Sequence, residues 1–196
     1  MTAASAAAVA QAWPNQVGQS AAGVAALTSR LEAALEVAQV ICAALEAGGT
    51  VMTCGNGGSA LEAQHFAAEL VAHFKRDRRS LAALALPSDY GVLTAIANDL
   101  GYDNVYARQV EGLARRGDVV IGFSTSGGSE NVARALAQAQ DCGAIAVAMT
   151  GEGGGRVAEA ANYHLDSPAT ETARVQECHL VLTHIICDYV DAYFAD

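Results

Sequence analysis

The chain of 196 residues sets 21 acidic side chains against 11 basic ones, for a formal net charge of -10, and 52% of its residues are hydrophobic. That length suits one domain with a real core. The acidic balance argues against a surface that grips nucleic-acid phosphates, and the lack of any long uncharged apolar run argues against a membrane span.

Nothing before Arg30 is charged, so the start lacks the basic region of a secretory signal and the Arg content of a transit peptide, and the expected compartment is the cytoplasm. Five cysteines, odd in number and without a CxxC pair, read as reduced and mostly buried thiols. Through about Gly23, alanines mix with Trp13, Pro14 and Gly18, which predicts a helix interrupted near Pro14. Val24 to Ala47 carries apolar residues at helical spacing and stops at Gly48-Gly49. Residues up to about 47 thus form an N-terminal helical segment of a single domain spanning 1–196.

Thr50 to Cys54 reads as a short strand and Ser59 to Phe74 as a helix. After the basic turn KRDRR, LAALAL is a buried strand closed by Pro87; 89–98 and 104–114 have helical character. DVVIGFS at 118–124 is the clearest strand, and a polar loop and a helix from about Asn131 to Asp141 follow it. AIAVAMT at 144–150 is the next strand, GEGGG a flexible turn, Tyr163 to Leu165 a short fifth strand, and Val175 to Tyr193 a long closing helix. Apolar strands alternating with helices predict a parallel sheet covered on both faces, an α/β sandwich. Ligands of such folds bind beyond the carboxyl ends of the strands.

Two loops fall at that edge. In GNGGS, Gly55, Gly57 and Gly58 let the backbone turn tightly, and Ser59 opens a helix whose first amides are unpaired, an anion cradle. The loop has neither the spaced GxGxxG of a dinucleotide site nor the Lys-Ser/Thr tail of a P-loop. The second loop adds the hydroxyls of Ser124, Thr125, Ser126 and Ser129 to the amides of Gly127 and Gly128. Amides and hydroxyls without Lys or Arg suit a sugar phosphate, although Ser129 alone could equally be a helix cap.

His65 and Glu69, at i and i+4, share a helix face and can chelate a metal, pair a base with an acid, or simply pair with each other at the surface. The closing helix embeds Gln176, His179 and His184 among apolar neighbours, where a histidine is usually a hydrogen-bonded core residue. Gln176 and His184 lie about 12 Å apart along that helix. Asn98 and Asp99 end a helix before Gly101 and either close the site from a third side or cap the helix.

Taken in order, GNGGS, HFAAEL, LTAIANDLGY, STSGGS and VQECHLVLTHIICD resemble the phosphoheptose isomerases of the sugar isomerase (SIS) domain family, from about Gly48 to Val190. The resemblance implies a three-layer sandwich with a five-stranded parallel sheet, in a cytoplasmic homotetramer with its sites near subunit interfaces. It implies ketose-aldose conversion of sedoheptulose 7-phosphate to D-glycero-D-manno-heptose 7-phosphate through an enediol. The matching positions imply substrate contacts from Asn56, Gly57, Gly58, Ser59, Glu69, Asn98, Asp99, Ser124, Thr125, Ser126, Ser129 and Gln176. They also imply one zinc per subunit on His65, Glu69, Gln176 and His184, with Glu69 and His184 as catalytic acid and base. The last two roles compete, because a zinc-bound histidine does not freely shuttle a proton; zinc is favoured as the orienter of the C1 and C2 oxygens and Glu69 as the proton carrier.

His73 stands where the family commonly has Arg, which weakens a cationic contact or makes it depend on pH. Ala173 replaces a common Pro, and Cys178 and Thr183 stand where Gly is frequent. The rival reading is a non-enzymatic SIS-domain protein that binds the bacterial replication initiator. That relative lacks the acid and the histidine at the positions of Glu69 and His184, and this chain keeps both.

Overall fold

The structure is a computed structural model and describes residues 3–195. Five parallel strands, β1 (Val51–Gly55), β2 (Ala83–Ala85), β3 (Val119–Ser124), β4 (Ile145–Thr150) and β5 (Tyr163–Asp166), pair in the order β2-β1-β3-β4-β5. The strands are apolar throughout because both faces are covered. In β3, Val119, Ile121 and Phe123 face a core that also holds Val147 and Met149 of β4; Val120, Ala146 and Ala148 face the opposite core. Alternation with period two thus survives inside runs that look uniformly hydrophobic.

Nine α-helices surround the sheet among the described residues: α1 (Ala3–Gln11), α2 (Trp13–Ala26), α3 (Leu31–Glu46), α4 (Gly58–Val71), α5 (Tyr90–Leu100), α6 (Ala107–Leu113), α7 (Glu130–Asp141), α8 (Gly155–Glu159) and α9 (Thr172–Phe194). Helices α3, α4 and α9 cover one face, and α6, α7 and α8 the other. Close packing of α7 needs Gly122, where a Cβ would stand 2.6 Å from Val132 Cγ1.

Several boundaries differ from the sequence reading for physical reasons. The N-terminal break falls at Ala12, because Pro14 is accommodated in the first turn of α2, where its missing N–H costs nothing. The expected single helix from Val24 to Ala47 is two helices joined by a tight turn at Leu27–Arg30. Arg30 there forms a two-pronged pair with Asp166 at the end of β5, and Arg174 of α9 donates to the Gln16 carbonyl. These contacts tie the N-terminal segment to the domain.

GEGGG, expected as a flexible turn, is packed. Gly153, Gly154 and Gly155 all take positive φ and lead into α8, and a Cβ on Gly127 would lie 2.2 Å from the Gly154 carbonyl oxygen. Gly127 itself has φ +65. Gly127→Ala is therefore expected to cost at least about 2 kcal/mol, visible as a fall of roughly 4–8 °C in Tm by calorimetry.

Candidate functional site

The GNGGS loop leaves the carboxyl end of β1 and enters α4 at Gly58; Gly57 sits at the N-cap with φ 55. Ser59 is buried and helps shape the turn, for a Cβ on Gly55 would stand 2.6 Å from the Ser59 carbonyl oxygen. The Tyr106 hydroxyl donates to the Gly55 carbonyl from the buried side. Asn56 is held by Asn131 of α7: each amide donates to the other, at 2.8 and 2.9 Å, and the Tyr102 hydroxyl also donates to Asn56 Oδ1. The Asn56 side chain thus fixes the loop, while the open helix end at Gly57 and Gly58 faces outward with its positive dipole.

The second loop leaves the adjacent β3. Ser124 and Ser129 hydroxyls pair at 2.8 Å, and Ser126 Oγ accepts from the Gly128 amide. Ser129 occupies the N-cap of α7 yet makes no capping bond through its side chain, so the capping alternative does not apply. Thr125 is half-buried beside it, its carbonyl close to Gly151.

Halfway along α4 the polar pair meets α9. His65 Nε2 lies 3.2 Å from Glu69 Oε1 and 3.1 Å from His184 Nε2. His184 stacks on Phe74, ring centroids 5.1 Å apart. Burial, with the charges of His65 and Lys75, pulls the His184 pKa below its usual value, and Glu69 opposes this. A neutral imidazole is the form a metal ligand requires.

Neighbouring donors around a tetrahedral zinc, at 2.0–2.1 Å for nitrogen, stand about 3.3–3.4 Å apart, so the two separations about His65 come close to ligand spacing. Among the described residues no three or more His, Cys, Asp or Glu side chains form a ready-made cage. The cluster is thus two pairs at ligand spacing, His65 with Glu69 and His65 with His184, rather than a closed set.

Gln176 lies at the head of α4: a Cβ on Gly58 would be 2.2 Å from Gln176 Nε2. That atom ends a flexible side chain, so Gly58→Ala is expected to swing the amide aside and leave the fold intact. Displacing this expected substrate contact, worth about 0.5–1.5 kcal/mol, should raise KM by about two- to tenfold, measured in steady-state assays beside an unchanged Tm.

Asn98 and Asp99 sit exposed on the last turn of α5 and pair with each other at 2.7 Å; no hydrogen bond joins them to either loop within one chain. Neither caps the helix, whose N-terminus is capped by Asp89. His73 is exposed just beyond α4. Cys42, Cys54, Cys178 and Cys187 are buried, and burial pushes the Cys54 thiol up to about 12, as expected of core thiols. Cys178 packs α9 against Gly23 of α2.

Sequence reasoning missed Asn131, Tyr102 and Tyr106 as loop supports. Nothing local to any of them signals the role, since each reaches the loop from an element 46 or more residues away.

Fold and site together define a class: a parallel α/β protein that takes a small anionic, hydroxyl-bearing ligand across two loops at the carboxyl edge of its sheet. The SIS domain family matches residues 15–151. A phosphoheptose isomerase of Aquifex aeolicus is 51% identical over 157 residues, covering 80% of this chain and 82% of that one, and one of Geobacter metallireducens is 49% identical over 165 residues, covering 84% and 86%. The solved structure of a phosphoheptose isomerase from Francisella tularensis superposes with a TM-score of 0.86 at 32% identity, over 98% of this chain and all of that one. The chain belongs to the SIS domain family, in its phosphoheptose isomerase branch.

Proposed function

We propose that the protein is a phosphoheptose isomerase that converts sedoheptulose 7-phosphate to D-glycero-D-manno-heptose 7-phosphate. The observation that carries this reading is the meeting of His184 of α9 with His65 and Glu69 of α4, the helix that begins at the GNGGS loop. Ketose-aldose conversion moves a proton between C1 and C2 through an enediol, so it needs a carboxylate, support at the two oxygens and a grip that fixes the carbons. The amides of Gly57 and Gly58 and the hydroxyls of the second loop supply the grip. Glu69 moves the proton. His184, held against Phe74, is fixed at the oxygens.

His65, Glu69 and His184 would hold one zinc, which supplies Lewis-acid polarisation of the substrate oxygens when bound; Gln176, beside Gly58 and about two turns of α4 from His65, would complete the set from a neighbouring subunit. A homotetramer completes the proposal. Its support is the exposed apolar surface of Trp13 and Val17 on α2, Tyr90 and Leu100 on α5, and Ile185 and Tyr189 on α9, more than isolated surface residues require. Asn98 and Asp99, exposed on the last turn of α5, would add their polar groups to the site. Among the described residues no helix is long and apolar enough to cross a membrane, and a cytoplasmic location is proposed with the activity. Nothing in the fold or the comparisons favours the initiator-binding alternative.

A panel of ketose phosphates assayed with and without chelator tests this reading. The seven-carbon ketose phosphate is expected to turn over fastest, with activity lost on chelation and restored by zinc. Undiminished activity in metal-free protein would remove zinc from the account.

A further inference from the structure

Between α4 and α9, one turn nearer the glycine loop than His65, lies a pair of side chains that the isomerase reading leaves unused. His179 is 0% exposed and the Glu62 side chain 11%. His179 Nε2 lies 3.1 Å from the carbonyl oxygen of Thr150, the last residue of β4. A carbonyl only accepts, so Nε2 carries the proton of that bond. Nδ1 then faces Glu62 Oε2 at 3.5 Å, and neither atom has another hydrogen-bond partner although both are closed to solvent. Without a proton between them, two buried acceptors would confront each other, at a cost of about 1–3 kcal/mol each. One proton relieves both, whether a carboxylic acid donates to Nδ1 or an imidazolium donates to a carboxylate.

We propose that Glu62 and His179 share this buried proton and act as a positioning pair for the reacting centre. Glu62, His65 and Glu69 fall at i, i+3 and i+7 on α4 and so share a face. Gly58 meets Gln176, Glu62 meets His179 and His65 meets His184, three successive contacts between two helices that run in the same direction. The middle contact also anchors α9 to the end of β4. It sets how far α4 and α9 can slide past each other, and with that the approach of Glu69 and His184. A displacement of about 1 Å at a reacting group can cost on the order of a hundredfold in rate. The positioning role rests on the isomerase reading, whereas the shared proton does not.

The test uses the full-length, zinc-loaded chain labelled with nitrogen-15 in its histidines. A far-downfield resonance from the shared proton, with the His179 Nδ1 frequency moved away from that of an unbonded imidazole nitrogen, is expected in the wild type, and both signs are lost in His179→Gln and in Glu62→Ala. In steady-state assays Glu62→Ala and His179→Gln should lower kcat by about tenfold or more, with KM changed less than about threefold. Glu62→Gln, whose amide N–H can donate to Nδ1, should recover most of that kcat. A bare, unbonded Nδ1 on His179 in the wild type overturns the shared proton. Wild-type kcat in Glu62→Ala, or a Glu62→Gln variant as slow as Glu62→Ala, overturns the positioning role. If Glu62→Ala fails to fold, the wild-type spectrum and the Glu62→Gln kinetics decide. A wild type that shows the resonance but no isomerisation refutes the proposed function and leaves the proton in place.

Discussion

Glu69→Gln is expected to lower kcat by about 10³-fold or more, within the usual range for loss of a positioned general base, while far-UV circular dichroism and Tm stay near wild type. The side chain keeps 21% of its surface exposed and contacts His65 through Oε1. Gln is close to isosteric, so the helix and its packing survive. What is lost is the only group in the cluster that combines a carboxylate with proximity to both histidines. His184→Ala should have a comparable effect on turnover, because the ring both faces His65 and stacks on Phe74. Activity of either variant within tenfold of wild type would mean that the proton moves elsewhere.

The second large effect concerns a residue with no place in the chemistry. Asp191 of α9 is 0% exposed, and one of its oxygens accepts the backbone amides of Phe74, Lys75 and Arg76 at 3.0, 2.6 and 2.9 Å. Its other oxygen takes Arg78 Nε at 2.6 Å. Arg78, also buried, turns its remaining nitrogens onto the carbonyls of Glu69 and Leu70 and so satisfies the open end of α4. Removing one partner of such a pair strands the other charge, so Asp191→Ala is expected to cost about 3–5 kcal/mol, or roughly 6–20 °C in Tm. Because the loop it holds carries Phe74 and the helix end carries Glu69, activity should fall as well.

The same residue gives a pH dependence. Burial alone would raise the Asp191 pKa, but the amides of Arg76 and Lys75 and the Arg78 side chain outweigh it and hold the carboxyl below its ordinary value. A carboxyl depressed on folding stabilises above its unfolded value, near 3.9, and loses that contribution as pH falls through the lower folded value. Acid unfolding below about pH 4 should therefore be less steep in Asp191→Asn than in the wild type, followed by circular dichroism.

Much of this was legible in the chain. The strands are short apolar runs bounded by glycine or polar loops, a length and flanking pattern that favours a sheet covered on both faces over a buried helix, and β1, β3 and β4 lie within a residue of their expected places. The two loops were legible because glycine and hydroxyl clusters after a strand leave few alternatives. His65 and Glu69 follow from helical spacing, and Glu62 would have followed from the same arithmetic three residues earlier.

The remainder depends on contacts distant in sequence. Nothing around Asp191 announces a partner 113 residues away, nor does Asn131 announce Asn56. The turn at Leu27–Arg30 was hidden because apolar spacing continues across it, and α8 because its glycines read as a loop. Asn98 and Asp99 pair with each other on the exposed last turn of α5, a contact between neighbours that their sequence position does not distinguish from a ligand contact.

The most direct test is turnover of sedoheptulose 7-phosphate by the purified wild-type protein supplied with zinc, followed by NMR of the sugar. The ketose phosphate should be converted to D-glycero-D-manno-heptose 7-phosphate until equilibrium, with no conversion by Glu69→Gln over the same period. A folded, zinc-supplied wild type that leaves the ketose unchanged would contradict the account.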